Sequence, residues 1–338
     1  RRPPRSTPPY SSAASDVYKR QNSGAGGDNP FLIGLSKSLR IRNGNQTSGA
    51  QAGSYIFADY RFEAIQMRNC GWSYTSPSSF VTLSFYVKSG VAQTYYGHIK
   101  TSDGTAMNYP FDIPVAAADT WYRIVKKIPG HANLQFDSSN DIGFRLTICP
   151  FMGTTYTGST NAHEWSTYAS GTRTPDQTST WYTTNDATFE LTGVQFEVGS
   201  AATPFEHRSF GEELLRCKRY YQRSTDSSRG TNYTVAVSSW YAGDGVRSFS
   251  KHNTYYDFDA KFEVEMRSSP TLTIYGSTNQ GDIHLESIGV GSQQVDWNNN
   301  TTDIRTKGFS LRHIEDSAYT SGSGNGFGIL AYTVDAEL

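Results

Sequence analysis

Apolar and polar residues alternate with a period of two through much of this chain, the pattern of half-buried strands. In Val81–Lys88 (VTLSFYVK), Val81, Leu83, Phe85 and Val87 share one face, and Thr82, Ser84, Tyr86 and Lys88 share the other. Tyr122, Ile124, Lys126 and Ile128 repeat the pattern more weakly, and Phe144, Leu146 and Ile148 oppose Arg145, Thr147 and Cys149. One apolar and one polar face per strand predicts antiparallel sheets packed face to face. Phe189–Val198 holds two interlocked rows, Phe189 and Leu191, then Val194, Phe196 and Val198. The phase slips at Thr192-Gly193, which predicts a β-bulge, because glycine tolerates the backbone a bulge demands.

A second group of strands follows residue 224. Asp257–Met266 (DFDAKFEVEM) reads as a ten-residue alternation, and Thr271–Tyr275, Phe309–His313 and Gly328–Leu338 follow it. The last places Leu330, Tyr332, Val334, Ala336 and Leu338 in one row. The pattern changes once, at Ser209–Gln222. There Phe210, Leu214, Cys217 and Tyr221 recur at helical spacing behind a Ser209/Glu212 capping box, with Arg216, Lys218 and Arg219 near the C-terminus, where the helix dipole favours cations. A helix this short is marginal in water, so its stripe is expected to be buried. The polar segment Gly153–Thr180, with Trp165 and Tyr168 inside it, is too long for a structureless connection and predicts a functional loop or extra short strands.

Composition changes this picture in three places. The first 21 residues (RRPPRSTPPYSSAASDVYKRQ) lack any apolar period and read as non-native linker-like or disordered sequence, to be kept out of the fold. Removing their five Lys/Arg and one acid from the 30 and 31 of the whole chain leaves 25 basic against 30 acidic residues, with no general attraction to nucleic acid. No stretch approaches the roughly 18 apolar residues of a spanning helix, so no membrane insertion is expected. Three distant cysteines, Cys70, Cys149 and Cys217, argue against a disulfide framework and fit assembly in a reducing cytoplasm. Aromatics make up 14% of the chain, enough both to fill β cores and to decorate a surface.

The sequence offers no catalytic constellation. Glu263 and Glu265 lie two residues apart on one strand face and alternate with Phe262, Val264 and Met266, the arrangement of a solvated sheet face rather than of two carboxylates across a cleft. The histidines lack metal spacing, and no nucleophile elbow, P-loop or dinucleotide fingerprint occurs. Aromatics in polar loops suit sugar binding, since a flat ring covers the apolar side of a pyranose. Trp72 and Tyr74 (NCGWSYTSPS), Trp165 and Tyr168, and Trp181 with Tyr182 at the entry to the Phe189 strand are the candidates; Trp121 in DTWYRI is expected to be core.

Phe189–Tyr221 (FELTGVQFEVGSAATPFEHRSFGEELLRCKRYY) resembles a join in tail-fibre and minor structural proteins of tailed bacteriophages, and LSKSLRI, VTLSFYVKSG, DTWYRIVKKIPG and the ending DAEL extend the resemblance. It implies an all-β chain. Residues 22–208 form a carbohydrate-binding-like jelly-roll β-sandwich lacking one or two N-terminal strands, 209–223 a linking helix, and 224–338 a second, C-terminal β domain. It further implies a non-catalytic virion protein, assembled in the bacterial cytoplasm, whose partners are a host-surface glycan and other virion tail proteins, with a homotrimer as one open assembly state. Glycan contacts would fall to Trp72, Tyr74, Trp165, Tyr168 and Trp181. Some such jelly rolls bind a structural calcium, but no acidic cluster here assigns its ligands. An accessory sugar-binding module of a secreted glycoside hydrolase, and a fibre segment with no ligand, remain open alternatives.

Overall fold

The computed structural model describes residues 16–21, 28–44, 49–177, 180–223, 249–251, 255–275, 282–287, 291–296, 300–314, 326–329 and 331–337. Its contacts gather into two units, Arg1–His207 and Arg208–Leu338.

The first unit is a jelly-roll β-sandwich. One sheet is built from β1 (Asp16–Gln21), β2 (Lys37–Arg42), β4 (Phe80–Ser89), β7 (Tyr122–Pro129) and β12 (Thr188–Val198), in the order β1-β2-β12-β4-β7. The other uses β3 (Tyr55–Glu63), β5 (Gln93–Thr101), β6 (Met107–Val115), β8 (Ile142–Met152) and β10 (Ser166–Thr167), in the order β10-β6-β5-β8-β3. The alternations explain the packing. Val81, Leu83, Phe85, Val87, Ile124, Phe189 and Leu191 of the first sheet meet Tyr95, Ile99, Phe111, Ile113, Phe144, Leu146 and Ile148 of the second in one core. The bulge falls where the phase slip places it: β12 shifts register against β4 between Thr192 and Gln195, and Gly193 sits at φ 58°. Phe196 thereby turns inward onto Phe62 and Phe144, at centroid distances of 5.3 and 5.2 Å.

Three expectations for this unit change. Asp16–Gln21, set aside as linker-like, pairs antiparallel with β2, covering a strand that would otherwise present an open edge. Trp181 and Tyr182 do not enter a strand; they lie in a turn ahead of β12. A short helix α1 (Ala64–Asn69) and a 3-10 turn at Pro30–Ile33, capped by the Asn29 side chain, add helical segments that no periodicity announces. The segment after β8 contains β9 (Thr157–Gly158), β10 and β11 (Thr174–Pro175), with β9 and β11 paired in parallel. It is the short-strand alternative for Gly153–Thr180.

The second unit opens with α2 (Phe210–Lys218), whose N-cap Ser209 accepts a hydrogen bond from Glu212 N. The helix is shorter than its apolar repeat, because Tyr221 belongs to β13 (Tyr221–Arg223). Its stripe is not buried: Phe210 is 82% exposed, and Leu214 and Leu215 are exposed as well. The remaining strands are β14 (Phe249–Lys251), β15 (Tyr255–Lys261), β16 (Thr271–Tyr275), β17 (Asp282–Ser287), β18 (Gly291–Asp296), β19 (Asn300–Arg305), β20 (Gly308–Ile314), β21 (Gly326–Ile329) and β22 (Ala331–Asp335). They form sheets ordered β13-β22-β16, β14-β15-β20-β19 and β18-β17-β21. The expected strand to Met266 stops at Lys261. Beyond it the Gln222 side chain accepts from Glu263 N at 3.0 Å and donates to the Val264 carbonyl at 2.6 Å, replacing the ladder. Met266, Val334 and Ala336 form the small core here, while Leu330 and Leu338 lie outside the described residues.

Candidate functional site

Most of the aromatics singled out from sequence close the sandwich. Trp72 is buried at 3% exposure and sits in an aromatic cluster with Tyr74 and Phe136, with Tyr74 4.8 Å from the Phe136 ring. Trp181 has no exposed surface and donates its indole N–H to Thr188 O at 3.0 Å. Trp165 is half-buried: its ring packs on Tyr109 at 5.1 Å, and its N–H reaches Pro129 O of the opposite sheet at 2.7 Å. It seals the edge between β6 and β7. These three tryptophans, with Tyr74, are packing residues, because the end of a two-sheet core must be closed by whatever loop passes over it. Trp121 is buried, as its strand-start position implied. Tyr168 alone of the five candidates stands over a polar sheet face, with the Lys100 ammonium 4.3 Å from its ring centre.

That face is the outer side of the β10-β6-β5-β8-β3 sheet. The cross-strand register sets Arg61, Arg145, Lys100 and Asn108 side by side from β3 to β6. The next rung holds Asp59, Thr147, His98 and Pro110. Asp59 lies 3.1 Å from Arg61 and 2.8 Å from Arg145. The segment from β9 to β11 lies across the β6 side, where Asn108 donates to the carbonyls of Arg173 and Thr172 at 3.0 and 3.4 Å. Rings and cations then pair: Arg145 with Phe57 at 5.3 Å, Arg173 with Tyr156 at 4.3 Å, and Lys100 with Tyr168. Tyr55 stacks on Phe57 at 5.3 Å and meets Tyr156 edge-on at 5.4 Å, which makes a continuous half-buried aromatic ledge along β3. The groups that carry this site, Phe57, Tyr156, Lys100, Arg145 and Arg173, escape sequence reading. Their only signal is the polar phase of the β5 and β8 alternations, and the pairing that unites them crosses dozens of residues.

Electrostatics follow from burial. His98, 4% exposed, donates from Nδ1 to Asn108 Oδ1 at 2.9 Å. Desolvation, reinforced by Arg173, Arg145 and Lys100, pushes its pKa down to about 4, so the ring is neutral at pH 7. Burial and then the two neighbouring guanidiniums also lower that of Lys100. Thr147 Oγ1, on the His98 rung, and Arg173 Nε are among the buried polar atoms with no hydrogen-bond partner. Beside β9 and β11 a cavity of about 530 Å³ is lined by Gln51, Thr154, Thr157, Asp176 and Gln177, and the Gln177 amide is likewise unpartnered.

Carboxylates do not face one another across any of these features. Glu263 is exposed and paired with Lys218, and Glu265 accepts from Thr306 Oγ1 at 2.9 Å, both on the surface of the second unit. Among the described residues no cluster of three His, Cys, Asp or Glu is placed to hold a metal, and no helix is long and apolar enough to cross a membrane.

The sequence matches no protein-family model and no curated protein. Among solved structures, one of CBM4 overlaps 54% of this chain and 94% of its own, at 7% identity and a TM-score of 0.27. A Bacteroides thetaiotaomicron protein described as sugar binding overlaps 56% and 85%, at 9% identity and a TM-score of 0.27. An exo-beta-agarase overlaps 75% of this chain but 35% of its own, at 11% identity and a TM-score of 0.28. The jelly-roll assignment rests on the strand order and core given above.

Proposed function

We propose that this chain is a non-catalytic glycan-binding protein of a tailed-phage virion, and that the outer face of the β10-β6-β5-β8-β3 sheet is where it holds sugar. The observation that carries the reading is the ledge of Tyr55, Phe57 and Tyr156, with Tyr168 across from it, fixed on a rigid sheet beside buried polar groups. A pyranose offers apolar C–H faces and a rim of hydroxyls. Half-exposed rings suit the first, and the Arg145 and Lys100 side chains suit the second. The resemblance of Phe189–Tyr221 to the phage tail join supports the virion setting, with other tail proteins as partners and a homotrimer as one open assembly state.

The test is a polysaccharide panel offered to the purified full chain, the Phe57→Ala and Tyr168→Ala variants, and Trp165→Ala as a packing control. Burial of one ring against a sugar is worth about 1–2 kcal/mol. Each site variant should therefore weaken binding about tenfold at unchanged melting temperature. No binding by the parent to any glycan, or binding that both site variants retain, sinks the proposal.

A further inference from the structure

The charges on the two outer sheet faces are arranged in opposite ways. On the first sheet a rung reads Arg40, Glu190, Lys88: the buried Glu190 carboxylate lies 3.2 Å from the Arg40 guanidinium and 3.4 Å from the Lys88 ammonium. Opposite charges alternate, and the central carboxylate pairs with both of its cations. On the second sheet the corresponding rung reads Arg61, Arg145, Lys100, three cations on adjacent strands with no acid between them. Directly opposed side chains on neighbouring strands stand about 5 Å apart, and like charges there are destabilising.

The available acids do not cancel this row. Asp59 is already divided between Arg61 and Arg145. Asp112, farther along β6, is held by Lys126 at 2.6 Å and His163 at 2.7 Å. Among the described residues neither Lys100 nor Arg173 has a carboxylate partner. His98, in their midst, is held neutral chiefly by its burial and further by these cations. Arg173 Nε and Thr147 Oγ1 are buried without partners beneath the same patch. The face therefore combines excess positive charge with an aromatic ledge.

We propose that the glycan held on this face is acidic, and that its carboxylate or sulfate lies over the Arg61–Arg145–Lys100 row beside Arg173. This inference rests on the glycan-binding reading and narrows it to one class of sugar. A guanidinium offers a planar pair of donors that matches a carboxylate or sulfate, and a ring stacked against its back face keeps it in position. Phe57 behind Arg145 and Tyr156 behind Arg173 supply that support. A neutral sugar would leave the cation row as it is, whereas an anion removes the repulsion it contains.

The experiment uses the full chain and three matched probes: alginate oligomers, the same oligomers with carboxyls reduced to alcohols, and chondroitin sulfate oligomers. Binding to alginate identifies carboxylate recognition, and stronger binding to chondroitin sulfate that survives reduction of its own uronate carboxyls identifies sulfate. Either supports the proposal, provided reduced alginate binds at least about tenfold more weakly and added salt weakens the acidic probe. Arg145→Gln and Lys100→Gln should each cost at least tenfold in affinity; for Lys100, which has no carboxylate partner among the described residues, the melting temperature should hold or rise as repulsion is relieved, whereas a purely structural role would lower it. Lys37→Gln, on the opposite sheet, should change nothing. Equal binding of reduced and native alginate overturns the acidic class and leaves the glycan reading standing. Binding to none of the three, with binding to a neutral polymer, does the same. Binding to no polysaccharide at all overturns both.

Discussion

Replacing Trp181 by alanine separates the two roles open to an aromatic beside a polar loop. The side chain is fully buried, and its N–H is one of three donors at Thr188 O, the others being Gly90 N and Ser89 Oγ at 2.9 Å each. Removing the indole therefore leaves that carbonyl satisfied, and the cost is almost all packing. A buried tryptophan hides about 250 Å², worth about 6 kcal/mol at 25 cal/mol per Å². The denatured chain already hides roughly 10–40% of such surface, and alanine keeps its own methyl. About 3–5 kcal/mol remains, the range seen for large-to-small aromatic deletions in cores. For a unit of this size each kcal/mol moves the melting temperature by about 2–4 °C, so a fall of about 6–20 °C is expected in the first unit's transition by circular dichroism. A shift within about 2 °C, together with lost glycan binding, would refute the core assignment and restore Trp181 as a sugar platform.

The buried His98 gives a pH dependence with a definite sign. Its folded pKa of about 4 lies below the unfolded value of 6.5, so the unfolded state binds the extra proton first. Its contribution to stability is complete above about pH 6.5 and is lost as the pH falls toward 4, by up to about 3 kcal/mol. Denaturant titrations across that window should show a slope that His98→Gln lacks; parallel slopes would contradict it. Gly97→Ala should cost at least about 1–3 kcal/mol by overpacking, since an added Cβ would come 2.7 Å from Thr147 O and collide with the Phe111 ring, and chemical denaturation reads this directly. Phe210→Ser, on the exposed stripe of α2, should shift stability by no more than about 0.5 kcal/mol. A larger loss would mean that the stripe is buried against something.

The strands were legible wherever one face was apolar and the other polar, as in β4, β7, β8 and β12. Even the bulge could be placed, because a phase slip beside glycine has one simple structural meaning. The Ser209 cap was readable for the same reason: a local hydrogen bond leaves a local sequence mark. The strand toward Met266 was over-read because the alternation continues after the ladder stops, and the side chain that ends it, Gln222, lies some forty residues earlier. Loop tryptophans were misassigned by a rule that equates polar neighbours with exposure. Trp165 sits among serines and threonines, yet its ring closes a seam between two sheets. Register was the missing quantity. Arg61, Arg145 and Lys100 form a row only once three strands are aligned.

The measurement that bears most directly on the binding face is amide hydrogen exchange of the full chain with and without a bound acidic oligosaccharide. Added protection confined to β3, β5, β8 and the β9–β11 segment, with the β1-β2-β12-β4-β7 sheet and the second unit unchanged, is the predicted result. Protection centred on the opposite sheet, on the exposed stripe of α2, or on the strands after residue 224 would contradict it.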